Sequence, residues 1–361
     1  MITVSDTARA IIDSGTFTYQ VKASAWLGDV LLADDVPIAR GSEENDRSLR
    51  VQERLLLTVP KYDDLGNRWT PTTDTSPLAA NGQTLKISLG IGIGVNGFEW
   101  FQRGEFLIQQ TREVGESLEV TAVGLMYLVQ EAGFVAPFQP SGTIAQTLRA
   151  LIEPAVQVNL DNAPTDQSVP SAINWDTDRI AAVYELLDAW PATARMHQQG
   201  YLEINPVVTP TEPVAYFTDA TGGTVVSASG SSDREGGFNV VVVTGTAGDG
   251  SEVRGLAYMP FGPWVYGIGS ANPLPVPYSY ASPLLTSQFR CELAAATILA
   301  RKMREGMLRR FTITATPDPT LQIGDAIELT TENVSGLLCT IEAMTLPYRP
   351  DEMTLEVVST S

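Results

Sequence analysis

The sequence predicts a mainly β protein with α+β insertions, and three observations carry that prediction. Segment after segment alternates apolar and polar residues with period two, the mark of half-buried strands. Gly (30) and Pro (23) are plentiful and punctuate the chain with turns between short strands. Stripes at helical spacing occur only near the N-terminus, within 141–190 and within 287–305. At roughly 100–200 residues per domain, a chain of 361 residues holds two or three domains. Its 43% hydrophobic content is enough to fill their cores.

Each element follows from local signals. Ser5 or Asp6 caps a short helix over 5–13, and Gly15 stops it. In Thr16–Ala23, Phe17, Tyr19, Val21 and Ala23 share one face. Leu49–Val59 is a second strand, with Leu49, Val51, Leu55, Leu57 and Val59 on one side. Glu53 interrupts that row, so the strand is expected to bend or to lie at an edge. In Leu85–Val95 every odd position is Leu, Ile or Val, and the opposite face holds Ser88, Gly90, Gly92 and Gly94. Asn96-Gly97 then predicts a hairpin into Phe98–Phe101, because both central turn positions need positive φ. Leu107–Gln110 and Ser117–Met126 continue the sheet, so the first 130 residues read as one antiparallel β-domain.

From 140 the period changes. Ser141 opens a stripe of Ile144, Leu148, Leu151 and Ile152 that Pro154 ends. Asp178 opens another, Ile180, Val183, Tyr184 and Leu187, closed by Pro191 after Trp190. Strands return at Phe238–Thr244, and Asp249-Gly250 marks a further turn. The longest helix spans 287–305, with Phe289, Leu293, Ala296, Ala300 and Met303 as its stripe and Gly306 as C-cap. Phe311–Ala315, Ala326–Leu329, Leu338–Ala343 and Met353–Val357 are the closing strands. Both ends of the chain are thus β-rich, a weak internal symmetry.

Two stretches stand apart. Residues 255–289 contain no Asp, Glu, Lys or Arg, yet hold Tyr258, Phe261, Trp264, Tyr266, Tyr278, Tyr280 and six prolines. Prolines forbid a helix and disfavour a central strand. Such an arm either packs on a partner or covers its own domain. Arg290, Arg301, Lys302, Arg304, Arg309 and Arg310 gather six of the 23 basic residues within a short span. They either dock an acidic surface of a neighbouring subunit or form a solvated helix face whose C-terminal cations suit the dipole.

Composition removes several classes of function. The net charge of −19 argues against nucleic-acid binding, which uses a basic face. Cys291 and Cys339 show no CxxC spacing, so neither a disulfide scaffold nor a cysteine-rich zinc site is expected. Neither a signal peptide nor a run of 18 apolar residues is visible, so a cytoplasmic origin with reduced thiols is expected and no membrane span is. His197 is the single histidine; without a GxSxG elbow it reads as a surface or helix-terminal residue rather than a catalytic base. Gly92-Ile93-Gly94-Val95-Asn96-Gly97 matches GxGxxG by letter, but an aromatic strand follows where a dinucleotide site needs a helix. These glycines instead thin one sheet face or admit another backbone. Asp176 and Asp178 lack an EF-hand loop, and Asp178 reads as a helix cap. No cofactor and no catalytic or metal-ligating residue is expected.

The order of segments resembles the tail hub (baseplate hub, tail-associated) proteins of long-tailed bacteriophages, especially minor tail proteins of phages of actinobacteria. The likeness rests on Ala25–Val30 with Arg50-Val51 and Leu55–Pro60, on Leu85 through Gly104–Ile108 to Val123-Gly124, and on the helix 287–305 followed by Phe311-Thr312-Ile313, Pro317–Pro319 and Leu321-Gln322-Ile323-Gly324-Asp325. The last block is also similar to hub proteins of contractile injection machines. The resemblance covers residues 15–358 and contains no invariant catalytic motif.

It implies two tail-tube-like antiparallel β-barrel domains plus a small α-containing domain. The chain then divides into 1–130, a first tube-like β-domain; 131–204, a small α-containing insert; 205–285, a β segment with the uncharged arm; and 286–361, the helix and second tube-like β-domain. The implied function is that of a structural virion protein, not an enzyme. It would be a homotrimeric hub at the tail tip, matching a sixfold tube to a threefold tip, assembled in the host bacterial cytoplasm. Its partners would be the distal tail ring protein, the tape measure protein and tip proteins, with DNA passing only through the lumen past an acidic wall. Ending after the last β segment, the chain is expected to lack hydrolase activity. Phe261, Trp264, Tyr266, Tyr278, Tyr280, Arg301 and Arg304 are the candidates for a subunit interface. Two other readings stand beside it: a sixfold distal tail ring protein, with one tube-like domain per chain, and a β-rich carbohydrate-binding or cell-wall-acting module stacking Trp264 and Tyr266 on sugars.

Overall fold

Ser5 caps the first helix, α1 (Asp6–Asp13), by accepting the Ala8 N–H at its side chain. The structure is a computed structural model and describes all residues except 95–96, 171–172, 209, 232–236, 262–263, 303–308, 350 and 360–361. After α1 come β1 (Tyr19–Leu27), β2 (Val30–Ala33), β3 (Arg40–Asp46), β4 (Glu53–Pro60), β5 (Gln83–Gly94), β6 (Gly97–Val114) and β7 (Ser117–Gly124). The predicted period holds in β5, where Leu85, Ile87, Leu89 and Ile91 are fully buried. Its glycines make room for neighbours: the Trp100 ring lies over Gly90, and Thr18 over Gly92. Gly94 pairs with Gly97 across the hairpin, so Gly97 opens β6 and does not sit at the centre of the turn as Asn96-Gly97 suggested; Val95 and Asn96 lie outside the described residues.

β4 departs from expectation. It starts at Glu53, not Leu49, and runs between β3 and β7 rather than at an edge. Asp46 turns the chain ahead of it by accepting the Ser48 N–H, which leaves Leu49 exposed. β3 (Arg-Gly-Ser-Glu-Glu-Asn-Asp) carries no apolar alternation and is invisible to periodicity, yet it sits inside the sheet.

The middle of the chain forms α2 (Met126–Glu131), α3 (Ile144–Ile152), β8 (Val158–Asn159), α4 (Arg179–Ala189), β9 (Ala192–Met196) and β10 (Leu202–Pro206). Thr143, not Ser141, caps α3, in a reciprocal capping box with Gln146. Asp178 caps α4 as predicted and also pairs with Arg50 at 3.0 Å. β8, β10 and β9 make a small sheet of their own.

The remainder holds β11 (Ala215–Thr218), β12 (Val225–Ser231), β13 (Val240–Thr246), β14 (Glu252–Tyr258), β15 (Pro277–Ala281), α5 (Gln288–Lys302), β16 (Arg310–Ala315), β17 (Ala326–Thr331), β18 (Val334–Pro347) and β19 (Met353–Ser359). β15 is an edge strand, which tolerates Pro277. α5 buries Cys291, Ala294, Ala295, Ile298 and Leu299, not the predicted stripe; Phe289 is 71% exposed. The small side chains let α5 press on β14, where a Cβ on Gly255 would come within 2.1 Å of the Cys291 backbone. Met303 and Gly306 lie outside the described residues.

The mainly β class is as predicted. The strands of both β regions join in one large sheet, in the order β12-β16-β19-β18-β3-β4-β7-β6-β5-β1-β2, with β17 branching from β18 and carrying β11. Among the described residues this path stays open and does not close into a barrel. One core lies along it and mixes Leu55, Leu85 and Phe106 with Ile313, Ile341 and Leu355. A second core packs α2, α3, α4 and α5 against the two smaller sheets.

The joint is β3 against β18, with Asp46 opposite Ala343 and Ser42 opposite Pro347. Beneath it, Arg103 of β6 and Glu43 of β3 form a buried ion pair at 2.9 Å. Arg103 also donates to the carbonyls of Pro319 and Leu321, Asn45 donates to Glu43 at 2.6 Å, and the Tyr348 hydroxyl donates to it at 3.2 Å. The N-terminal segment reinforces the joint: Ile2 N–H donates to Thr320 O at 2.7 Å, and Arg9 pairs with Asp318 at 2.8 Å. Removing one member of a buried pair strands the other. Arg103→Ala is expected to cost about 3–5 kcal/mol, whereas Arg103→Met with Glu43→Gln costs much less; denaturant titration of the three proteins measures both.

Candidate assembly surfaces

The main path of the sheet ends in β12 and β2, and its side branch ends in β11. β12 (Val-Val-Ser-Ala-Ser-Gly-Ser) pairs on one side with β16, from Val225 opposite Ala315 to Ser231 opposite Arg310. It is almost wholly exposed and has no charge and no proline, the features that normally block strand addition. Grooves flank it. One of about 530 Å³ lies between α1 and β11, lined by Ile12, Val214, Tyr216 and Phe217; one of about 460 Å³ is lined by Phe17, Tyr19 and Val226. At the opposite end, β2 (Val-Leu-Leu-Ala) has no charge within its four residues but is bracketed by Asp29, Asp34 and Asp35, and Val30 and Leu31 are exposed. Neither edge was singled out from the sequence.

The uncharged stretch divides its aromatics between inside and outside. Trp264 is buried at 8% exposure, its ring against Gly237, so it is core and not interface. Tyr278 stacks obliquely on Phe238 at 5.5 Å and packs, with Tyr280, against the helical core. Burial pushes the Tyr280 hydroxyl pKa up, helped by the charges of Asp188 and Glu185. Phe261 and Tyr266 stay outside, at 43% and 41% exposure, with Tyr266 stacked on Tyr258 at 6.0 Å. The arm therefore covers its own domain with one set of rings and presents the other.

The basic cluster is largely engaged within the chain. Arg301 pairs with Asp188, Arg290 donates to Ser168 O at 3.4 Å, Lys302 sits 5.6 Å from the Tyr278 ring, and Arg309 lies over Phe311. Arg304 lies outside the described residues.

The residues weighed for catalysis or metal binding lie apart. His197 follows β9, a strand and not a helix as the sequence suggested; its ring stacks on Tyr201 at 4.2 Å and accepts the Gln199 N–H. Desolvation lowers its pKa. Burial raises both thiols, Cys339 to about 12, which keeps them inert. Among the described residues no group of three His, Cys, Asp or Glu side chains is placed to hold a metal ion. No helix among them is long and apolar enough to cross a membrane.

No protein-family model and no curated protein matches the chain. Solved structures do. The tail protein from Neisseria meningitidis MC58 aligns with a TM-score of 0.67 at 12% identity, over 95% of this chain and 97% of that one. The 43 kDa tail protein of prophage MuSo2 from Shewanella oneidensis gives 0.61 at 10% identity, over 93% and 98%. Prophage tail protein gp18 from Listeria monocytogenes EGD-e gives 0.55 at 13%, over 95% and 94%. The chain has the fold of these phage tail proteins along nearly its whole length.

The inward and outward aromatics are separable by experiment. Trp264→Ala is expected to destabilise by about 3–5 kcal/mol, while Phe261→Ser and Tyr266→Ser change stability by no more than about 0.5 kcal/mol; thermal melts of the three variants compare them.

Proposed function

We propose that the chain is a structural subunit of a bacteriophage tail and acts as a trimeric hub at its tip. The observation that carries this reading is the open sheet, which unites two β regions in one chain and whose main path ends in β12 and β2. A closed ring of identical subunits needs heterologous contacts, in which two different surfaces of each copy meet. β2 and β12 are such a pair, at opposite ends of the same path. Three copies, each contributing two β regions, meet a sixfold tube on one side and a threefold tip on the other. A sixfold distal ring needs only one β region per chain, so the joined pair favours the hub. The shared fold with tail proteins supports the setting in a virion tail.

The role is assembly and not catalysis. The distal ring, tape measure and tip proteins are the neighbours such a hub would have, with assembly in the host cytoplasm. The net charge of −19 suits a channel through which DNA slides, since carboxylates repel phosphates. A sugar-binding role is less favoured, because Trp264 is buried.

Light scattering with negative-stain imaging tests the reading: a ring of three with sixfold texture is expected, and a ring of six would move the chain to the distal ring. Ala228→Pro on β12, or Leu31→Lys on β2, is expected to leave the melting temperature of the monomer within a few degrees while abolishing the ring. Persistence of the ring in both variants would show that the edges do not hold it together.

A further inference from the structure

Glu53, the residue that breaks the apolar row of its strand, turns its carboxyl inward at the start of β4. It lies over Gly124 of β7, where a Cβ would stand 2.2 Å from Oε2. That Oε2 is buried and has no hydrogen-bond partner, and neither has the buried Oδ1 of Asn45. Both residues line a cavity of about 30 Å³, room for about one water, at the seam between the sheet and the β9 turn. No protein donor among the described residues meets either of these buried oxygens, and a proton on Glu53 would let its own Oε2 donate.

The charged groups around Glu53 give an ionised carboxylate little help. Glu43 of β3 has the same sign and is held by Arg103 of β6, which is bound in turn to the carbonyls of Pro319 and Leu321. Glu105 of β6 faces Lys86 and Thr84. Arg195 of β9 pairs with Glu203 at 3.1 Å, His197 stacks on Tyr201, and Tyr184 of α4 donates to Arg50 O. Arg54, next on β4, faces Glu44.

We propose that Glu53 is a proton-controlled latch between the large sheet and the β8–β10–β9 unit: protonated, it keeps β9 seated on β4, and ionised, it releases β9. Burial, reinforced by Glu43, pushes its pKa up to about 7, against the pull of the Glu53 and Met196 N–H groups and of Arg195. An unfolded glutamate titrates near 4.3, so the folded seam holds a proton that the open state gives up. The stability of the seam is therefore complete below that lower value and is lost as pH rises through about 7.

Hydrogen exchange of the full-length chain at pH 5.5 and 8.5, corrected for intrinsic rates, tests the latch. Protection of Ala192–Met196 is expected to fall by about tenfold or more at the higher pH, because opening releases one proton and so becomes about ten times easier with each pH step up to the folded value. In Glu53→Gln it stays constant. Glu53→Leu, with no titratable group, is a second variant expected to behave like Glu53→Gln. A melting temperature gained by Glu53→Gln at pH 8 and absent at pH 5 is the matching thermodynamic result. Equal loss of protection in wild type and variants, or no loss in wild type, would overturn the proposal.

Discussion

The pairing of β3 with β18 is the constraint on which everything else rests. Without it the two β regions would be separate units; with it they share one core and one continuous sheet. β3 is an improbable strand on its own, seven residues with no apolar row. It is stable there because Arg103 neutralises Glu43 from beneath and because Tyr348 and Asn45 complete the carboxylate's hydrogen bonds. A buried ion pair of this kind adds little net stability over an apolar pair, but it tolerates few alternatives. A strand shifted by one residue would bury Glu44 instead and leave Arg103 without its partner, so the pair fixes register as well as position.

Much of the fold was legible because burial imposes a period. β5 alternates so strictly that its buried face, Leu85 to Ile91, could be read directly, and Asp178 declared itself as a cap. Other elements were hidden for identifiable reasons. β3 is polar because its partner is a charge, not a core. β12 is small and polar because neither of its faces is buried within the chain. In α5 the stripe read from the sequence, beginning Phe289 and Leu293, is not the buried one; Cys291, Ala294 and Ala295 face inward because close approach to Gly255 admits only small residues. The candidate interface was half legible. An uncharged aromatic stretch was visible, but only the structure separates Trp264, which fills a core, from Phe261 and Tyr266, which do not.

Charge gives the proposed assembly its selectivity. Copies that each carry −19 repel one another, so contact must occur where carboxylates are absent. β12 meets that condition along its length and β2 within its four residues between Asp29 and Asp34, and the free edge of each gives directional backbone bonds independent of salt. Of the basic residues that looked available for such contacts, Arg301 is held by Asp188 and Lys302 lies beside Tyr278.

The central claim is that β2 of one copy adds to β12 of the next. Cysteine pairs that combine each position of β2, Val30 to Ala33, with each position of β12 from Ser227 to Ser229 test it directly, because residues directly opposite across paired strands bring Cα atoms within disulfide range. The natural Cys291 and Cys339 are buried and do not compete. Under mild oxidation, edge pairing in a ring of three predicts, for the pairs in register, linked species on a denaturing gel that end at three chains, and none from the single cysteine variants. Assembled protein in which no pair links, or a ladder that continues beyond three, would contradict it.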